Sequence, residues 1–84
     1  LSYEAIFLNS FIRQNRKISV ETRKRVVRVV EELVNNPYLG IRLRGELAVF
    51  WKVRVGKYRL LYKIDEKKKR IIFYDIDLRK KVYK

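Results

Sequence analysis

The segment from Val49 to Ile64, VFWKVRVGKYRLLYKI, alternates aromatic and branched apolar side chains with cations. A period of two marks a strand, and Gly56-Lys57 interrupts it where a leading glycine suits a two-residue type II′ hairpin turn. Closing the chain at that turn pairs Val55 with Tyr58, Arg54 with Arg59, Val53 with Leu60 and Lys52 with Leu61. One face of the hairpin then carries Trp51, Val53, Val55, Tyr58, Leu60, Tyr62 and Ile64, a natural floor for helices. The other carries Phe50, Lys52, Arg54, Arg59, Leu61 and Lys63. Like charges directly across a ladder destabilise it by on the order of a few tenths of a kcal/mol. Arg54 opposite Arg59 therefore reads as a sacrifice of stability that a bound anion would remove. Phe50 and Leu61 on that same face read either as minor cover for the sheet or as a stacking and apolar platform beside the charges.

Downstream, Ile71 to Ile76 forms a third strand, joined through the polar turn DEKKKR. Simple alternation sets Ile72, Tyr74 and Ile76 against Ile71, Phe73 and Asp75. The strand runs into LRKKVYK, whose Arg79, Lys80, Lys81 and Lys84 lie within reach of the hairpin cations. Val82 is expected to anchor this tail. Tyr83 is either a core-edge tyrosine or a phenol held near the anion.

Upstream, YLGIRLRGELA reads as a loop given backbone freedom by Gly40 and Gly45. Leu39, Ile41, Leu43 and Leu47 are expected to pin it to the core, leaving Arg42 and Arg44 pointing outward beside the sheet. Before it, Val26, Val30 and Leu33 repeat at helical spacing, joined by Val27 and Val34 as a widening stripe. Ser19 is the expected N-cap, Glu21 sits in the first turn where the exposed amides favour an anion, and Asn35-Asn36-Pro37 ends the helix. Arg23, Lys24, Arg25 and Arg28 read as its solvated face. Phe7, Leu8, Phe11 and Ile12 predict a turn or two of an earlier helix, and Tyr3–Phe7 a short first strand. The sum is a single α+β domain over residues 1–84: two N-terminal helices packed on one face of a largely antiparallel sheet, with a basic opposite face.

Charge dominates the composition. Twenty-two Lys and Arg against nine Asp and Glu give a formal +13, and from Tyr38 onward 15 basic residues face 5 acidic ones. Solubility or thermal adaptation favours surfaces of both signs, so this surplus points to a polyanion or an acidic protein as partner. Cysteine and histidine are both absent. That excludes a disulfide framework, a thiolate metal site and imidazole acid–base chemistry. No apolar run approaches the roughly 20 residues needed to span a bilayer, and no secretion-signal pattern opens the sequence. The first residue is leucine, so the natural start is expected to lie upstream.

The passage LRGELAVFWKVRVGKYRLLYKID, followed by IIFYDIDLRKKVYK, resembles the RelE/ParE superfamily of bacterial and archaeal toxins, and its RelE branch in particular. Leu43 and Gly45, Trp51 to Arg54, Gly56, Tyr58-Arg59, Tyr62, Arg79 and Val82-Tyr83 carry the likeness. The resemblance implies the RelE-like α+β fold and an mRNA interferase, an endoribonuclease that cuts messages in the ribosomal decoding site. In such enzymes the ribose 2′-oxygen attacks the adjacent phosphate, and no metal or other cofactor takes part. Carried over, the catalytic set is Lys52, Arg59, Arg79 and Tyr83. Arg59 and Arg79 then clamp the phosphate, Lys52 is the candidate base, and Tyr83 stacks on a nucleobase or orients the phosphate. Arg42, Arg44, Arg54, Lys63, Lys80 and Lys81 join Lys52 and Arg59 in binding RNA. Two positions depart from the family pattern: Arg54 stands where a second lysine is familiar, and DIDL precedes Arg79. Asp75 and Asp77 within it either weaken phosphate binding by pairing with the arginines or orient them.

The implied partners are mRNA and rRNA at the decoding site and a cognate antitoxin protein. Operator DNA would be bound only through the toxin–antitoxin complex, and no membrane is involved; the implied location is the cytoplasm. Two rival functions share this scaffold, a ParE-like inhibitor of DNA gyrase and a non-catalytic basic module that binds RNA or the ribosome.

Overall fold

A computed structural model describes residues 2–78. Strand β1 (Glu4–Phe7) leads into helices α1 (Asn9–Asn15) and α2 (Val20–Asn35). A 3-10 turn, Pro37–Leu39, precedes the short strand β2 (Ile41–Arg42), and a second spans Gly45–Leu47. Strands β3 (Phe50–Val55), β4 (Tyr58–Asp65) and β5 (Arg70–Leu78) follow as an antiparallel run. The sheet order is β1-β5-β4-β3-β2, and its one parallel pair is β1 with β5. This is the α+β arrangement that the alternating and helical periods predict. The β1–β5 pair encloses both helices in its crossover, as parallel pairing requires a long connection.

The hairpin register is the one expected, residue for residue: Val55↔Tyr58, Arg54↔Arg59, Val53↔Leu60 and Lys52↔Leu61. Gly56 adopts φ +61°, and Lys57 stays at negative φ. A type II′ turn needs a positive φ at its first central residue alone, whereas type I′ needs both. Val55, Leu60 and Tyr62 are buried on the helix side, with Trp51, Val53, Tyr58 and Ile64 packed around them. Arg25 of α2 leans on the hairpin tip, its Nη1 standing 3.1 Å from where a β-carbon on Gly56 would lie. It is therefore more than part of a solvated face.

Helix α2 begins at Ser19, whose Oγ accepts from the Thr22 amide at 3.2 Å, and Glu21 occupies the first turn. Val26 and Leu33 are buried against the sheet, with Val29, Val30 and Val34 beside them. Val27 leaves the predicted stripe and is 55% exposed. One residue past Val26 is about 100° around the helix, enough to turn it off the contact.

Two further expectations are corrected. Leu39 and Ile41 do not pin the loop, being 56% and 64% exposed. Leu39 ends the 3-10 turn before the sheet, while Ile41–Arg42 pairs with β3 as an edge strand, with Ile41 beside Lys52 on the side away from the helices. Leu43 and Leu47 are half-buried as foreseen. Gly40 is needed for closeness and not for freedom: its φ of −77° suits any residue, but a β-carbon there would collide with the Tyr62 hydroxyl and lie 2.6 Å from the Lys52 carbonyl oxygen.

Tyr62 joins this loop to the core. Its ring is fully buried, its hydroxyl donates to the Pro37 carbonyl at 2.7 Å, and it accepts from the Gly40 amide at 3.2 Å. Burial pushes the phenol up to about 12, opposed in part by the Gly40 amide. A raised pKa means the neutral form is favoured by folding, so this stability is complete below pH about 10 and is lost as pH rises through about 12. Tyr62→Phe should cost roughly 1–3 kcal/mol in a urea titration, because it strands buried backbone groups. The variant should also lose that alkaline transition; an unchanged transition would assign it to another group.

The β4–β5 turn is tied down by polar contacts, one of them from this same loop. Tyr3 and Tyr38 both donate to Glu66 in the β4–β5 turn, and Lys69 pairs with the same carboxylate at 2.9 Å. The Lys69 hydrogen bond, then that of Tyr3, holds the Glu66 carboxyl below its ordinary value.

Candidate nucleic-acid interface

The face of the sheet away from the helices is organised in rows by strand register. Arg54, Arg59 and Asp77 form the row nearest the hairpin tip, as successive cross-strand partners. The next runs Ile41, Lys52, Leu61 and Asp75. A third runs Phe50, Lys63, Ile72 and Ile6. Hence Lys52, Arg54, Arg59 and Lys63 share one face with Phe50 and Leu61, as expected from the period of two. Arg54 is exposed, while Lys52, Arg59 and Lys63 are half-buried. Half-burial strengthens a cation's attraction for any anion that reaches it, because the surrounding dielectric is lower than that of water.

Other expected binders stand apart from this group. Arg42 lies opposite Trp51, which its register assigns to the helix side of the sheet, and its Nε donates to the Ala48 carbonyl at 2.5 Å. Arg44 is exposed in the connection between β2 and the Gly45–Leu47 turn. Arg79, Lys80, Lys81, Val82, Tyr83 and Lys84 lie outside the described residues.

Simple alternation fails in β5. Register shifts between Leu61 and Tyr62, so that Leu61 faces Asp75 and Tyr62 faces Phe73, leaving Tyr74 as the extra residue of a bulge. The bulge changes the strand's phase. Ile71, Phe73 and Ile76 are all buried, whereas alternation had put Ile76 with Tyr74 on the other side. Tyr74 instead meets Phe50 edge-to-face at 5.0 Å, and Lys63 Nζ stands 5.7 Å from its ring. Ser10, in the first turn of α1, donates to the Tyr74 carbonyl and fixes the bulge to the helix layer. A signal for it existed in IIFYDID: apolar residues at 71 and 73 cannot share a face with 76 unless a residue is inserted.

The same phase change brings both aspartates onto the basic face. Asp75 Oδ1 accepts from the Ile76 amide at 2.9 Å, and Asp77 Oδ1 from the Leu78 amide at 2.8 Å. Asp77 flanks Arg59 on the side opposite Arg54. The pairing of two arginines is thus offset by a carboxylate one strand over, and the like-charge cost inferred from the hairpin alone is reduced.

Behind the sheet, α1 and α2 leave an apolar groove of about 600 Å³ lined by Phe7, Phe11, Ile12, Val20, Val27 and Val30. Arg16, Arg23, Lys24 and Glu31 rim it. Among the described residues no group of three or more Asp and Glu is placed to hold a metal ion, and no helix is long and apolar enough to cross a membrane.

Comparison with known proteins decides the lineage. Residues 3–83 match the family model of the ParE toxin of type II toxin–antitoxin systems, parDE. The chain belongs to the RelE/ParE toxin superfamily. It is a toxin of a type II toxin–antitoxin system, as the resemblance implied. This RelE/ParE chain is 30% identical to a relative from Methanocaldococcus jannaschii named RelE4, over 98% of this chain and 92% of that one. It is also similar to a chain of the toxin–antitoxin complex RelBE2 from Mycobacterium tuberculosis, with TM-score 0.87 and 31% identity over 94% of this chain and 100% of that one. The isolated E. coli RelE toxin shares the fold, with TM-score 0.83 and 19% identity over 96% of this chain and 88% of that one.

Proposed function

We propose that this RelE/ParE toxin is a ribosome-dependent endoribonuclease that cuts translated mRNA. The observation that carries the reading is the register that gathers Lys52, Arg54, Arg59 and Lys63 on the face left bare by the helices. In the reaction the ribose 2′-oxygen attacks the adjacent phosphorus while the bond to the 5′-oxygen breaks. The products are a 2′,3′-cyclic phosphate and a free 5′-hydroxyl. One proton leaves the 2′-hydroxyl and one reaches the departing 5′-oxygen, so no redox partner is required. Negative charge grows on the non-bridging oxygens in the transition state, where fixed cations stabilise it more than they stabilise the substrate.

Within this reading Arg59 and Arg79 clamp those oxygens, since the guanidinium fork meets two at once. Arg54, with Arg44, Lys63, Lys80 and Lys81 further out, holds the RNA backbone, and Tyr83 stacks on a base or orients the phosphate; Arg42, turned to the helix side, takes no part. Lys52 takes the proton from the 2′-hydroxyl, a role closed to arginine because its guanidinium does not give up a proton in proteins. Lys52→Arg therefore keeps the charge and removes the base. Single-turnover cleavage should fall roughly a hundredfold or more, in line with general-base contributions. Full activity in that variant would reduce Lys52 to an electrostatic contributor.

Induced expression tests the function as a whole. Codon-positioned cuts in ribosome-bound messages are expected, with plasmid supercoiling normal. The ParE name of the matching family favours a second reading, inhibition of DNA gyrase; supercoiling defects with intact messages would establish it. Neither effect would leave a non-catalytic binding module.

The related RelBE2 structure holds a toxin with its antitoxin, and we extend that partnership to this chain. The groove between α1 and α2 suits an amphipathic antitoxin helix, with apolar anchors for its floor and acidic groups for Arg16, Arg23 and Lys24. Val27→Lys adds a charge at a position already more than half exposed, so the fold should survive. Affinity for the antitoxin, measured by calorimetry, should drop roughly tenfold or more. An unchanged affinity would put the antitoxin elsewhere.

A further inference from the structure

Tyr74 is unexplained by the core and by the cation cluster. It is the inserted residue of the β5 bulge and its carbonyl is held by Ser10, while its ring meets Phe50 and Lys63 of the open face. Bulges of this kind re-aim a side chain and recur beside functional sites. Phe50 lies against Tyr74 with ring planes 89° apart, so the two rings present perpendicular aromatic walls. Leu61 and Ile72, each half-buried on the same face, supply apolar floor beside them. Lys63 approaches the Tyr74 ring, and Lys52 sits one row away, across from Leu61.

The insertion serves the core by turning Ile76 inward, but that role is met by any residue at position 74 and does not call for a ring on the open face. An aromatic corner bordered by phosphate-binding cations instead matches the way single-stranded nucleic acids are gripped, with bases on rings and backbone on cations. We infer that Tyr74, presented by the bulge and set edge-to-face on Phe50, is a nucleobase-stacking site for single-stranded RNA whose phosphates engage the neighbouring cations. The inference rests on reading this face as an RNA surface. It gives the chain a contact to bases, where the basic residues contact only the sugar–phosphate chain and carry no direct sequence information.

The test compares full-length protein binding to a short polyadenosine RNA and to an abasic ribose-phosphate chain of the same length, at one fixed salt concentration. Wild type should prefer the base-bearing RNA by roughly fivefold or more, the range of a single base–aromatic stack. Tyr74→Phe keeps the ring and should keep that preference, while Tyr74→Leu should abolish it and leave abasic binding unchanged. Arg59→Ala should weaken both probes alike. Should Tyr74→Leu fail to fold, Phe50→Leu serves as the second variant and should reduce the preference. Equal wild-type binding to both probes, or a preference that persists in Tyr74→Leu or in a folded Phe50→Leu, would overturn the inference. Loss of binding to both probes in folded Tyr74→Leu would do the same, marking a general surface role. Absence of cleavage on ribosomes would refute the nuclease reading and leave this preference standing, so the two fail separately.

Discussion

Arg59→Ala is expected to lower message cleavage on ribosomes by roughly a hundredfold or more, the usual cost of removing one donor aimed at a developing oxyanion. Arg59 stands at the centre of the tip row, between Arg54 and Asp77, on the side of the sheet that the helices leave uncovered. Its guanidinium can therefore reach a phosphodiester without moving the core. Lysine at this position keeps the charge but loses the fork, so Arg59→Lys should recover only part of the activity. Neither variant should shift the unfolding free energy by more than about 1 kcal/mol, because Arg59 lies on the face turned away from the buried cluster. Parallel loss of melting temperature and activity in Arg59→Ala would instead mark a structural residue.

Leu60→Ala should have the largest effect on the fold. Leu60 is fully buried in the central strand, one residue from Arg59 and on the opposite face, within the cluster that includes Val26, Leu33, Tyr62 and Phe73. Truncating a buried leucine costs roughly 2–5 kcal/mol, the spread reflecting how far the site can collapse. A chain of 84 residues has only about 4–13 kcal/mol in hand. The melting temperature should fall by roughly 10 °C or more. The contrast between neighbours is what the strand period predicts: Leu60 carries stability and Arg59 carries activity. A Leu60→Ala protein that melts like wild type would contradict the assigned face.

Much of this was legible in the residues because the hairpin combines a strict period of two with a turn that only a glycine in positive φ satisfies. Given Gly56, the pairing of Arg54 with Arg59 followed directly. Helix α2 was equally plain from Ser19, Val26 and Leu33. Two of the misses share a physical source, which is that alternation assumes an uninterrupted strand and a covered edge. The bulge at Tyr74 breaks the first assumption, moving Ile76 into the core and Asp77 beside Arg59. Strand β2 breaks the second, since edge pairing carries Ile41 to the open face and Arg42 away from it. Gly40 reads in the sequence as a source of loop freedom, but the structure needs it for the approach of the Tyr62 hydroxyl. That contact spans distant parts of the chain and leaves no local mark.

The claim on which the function rests is that the cations of the open face stabilise phosphodiester cleavage in a ribosome-bound message. Its most direct measurement adds the purified chain to ribosomes programmed with a defined mRNA and determines the chemistry of any new ends. The account predicts cuts at a fixed position relative to the decoding site, leaving 2′,3′-cyclic phosphates and 5′-hydroxyls. Messages that stay intact at protein concentrations that saturate the ribosome would contradict it.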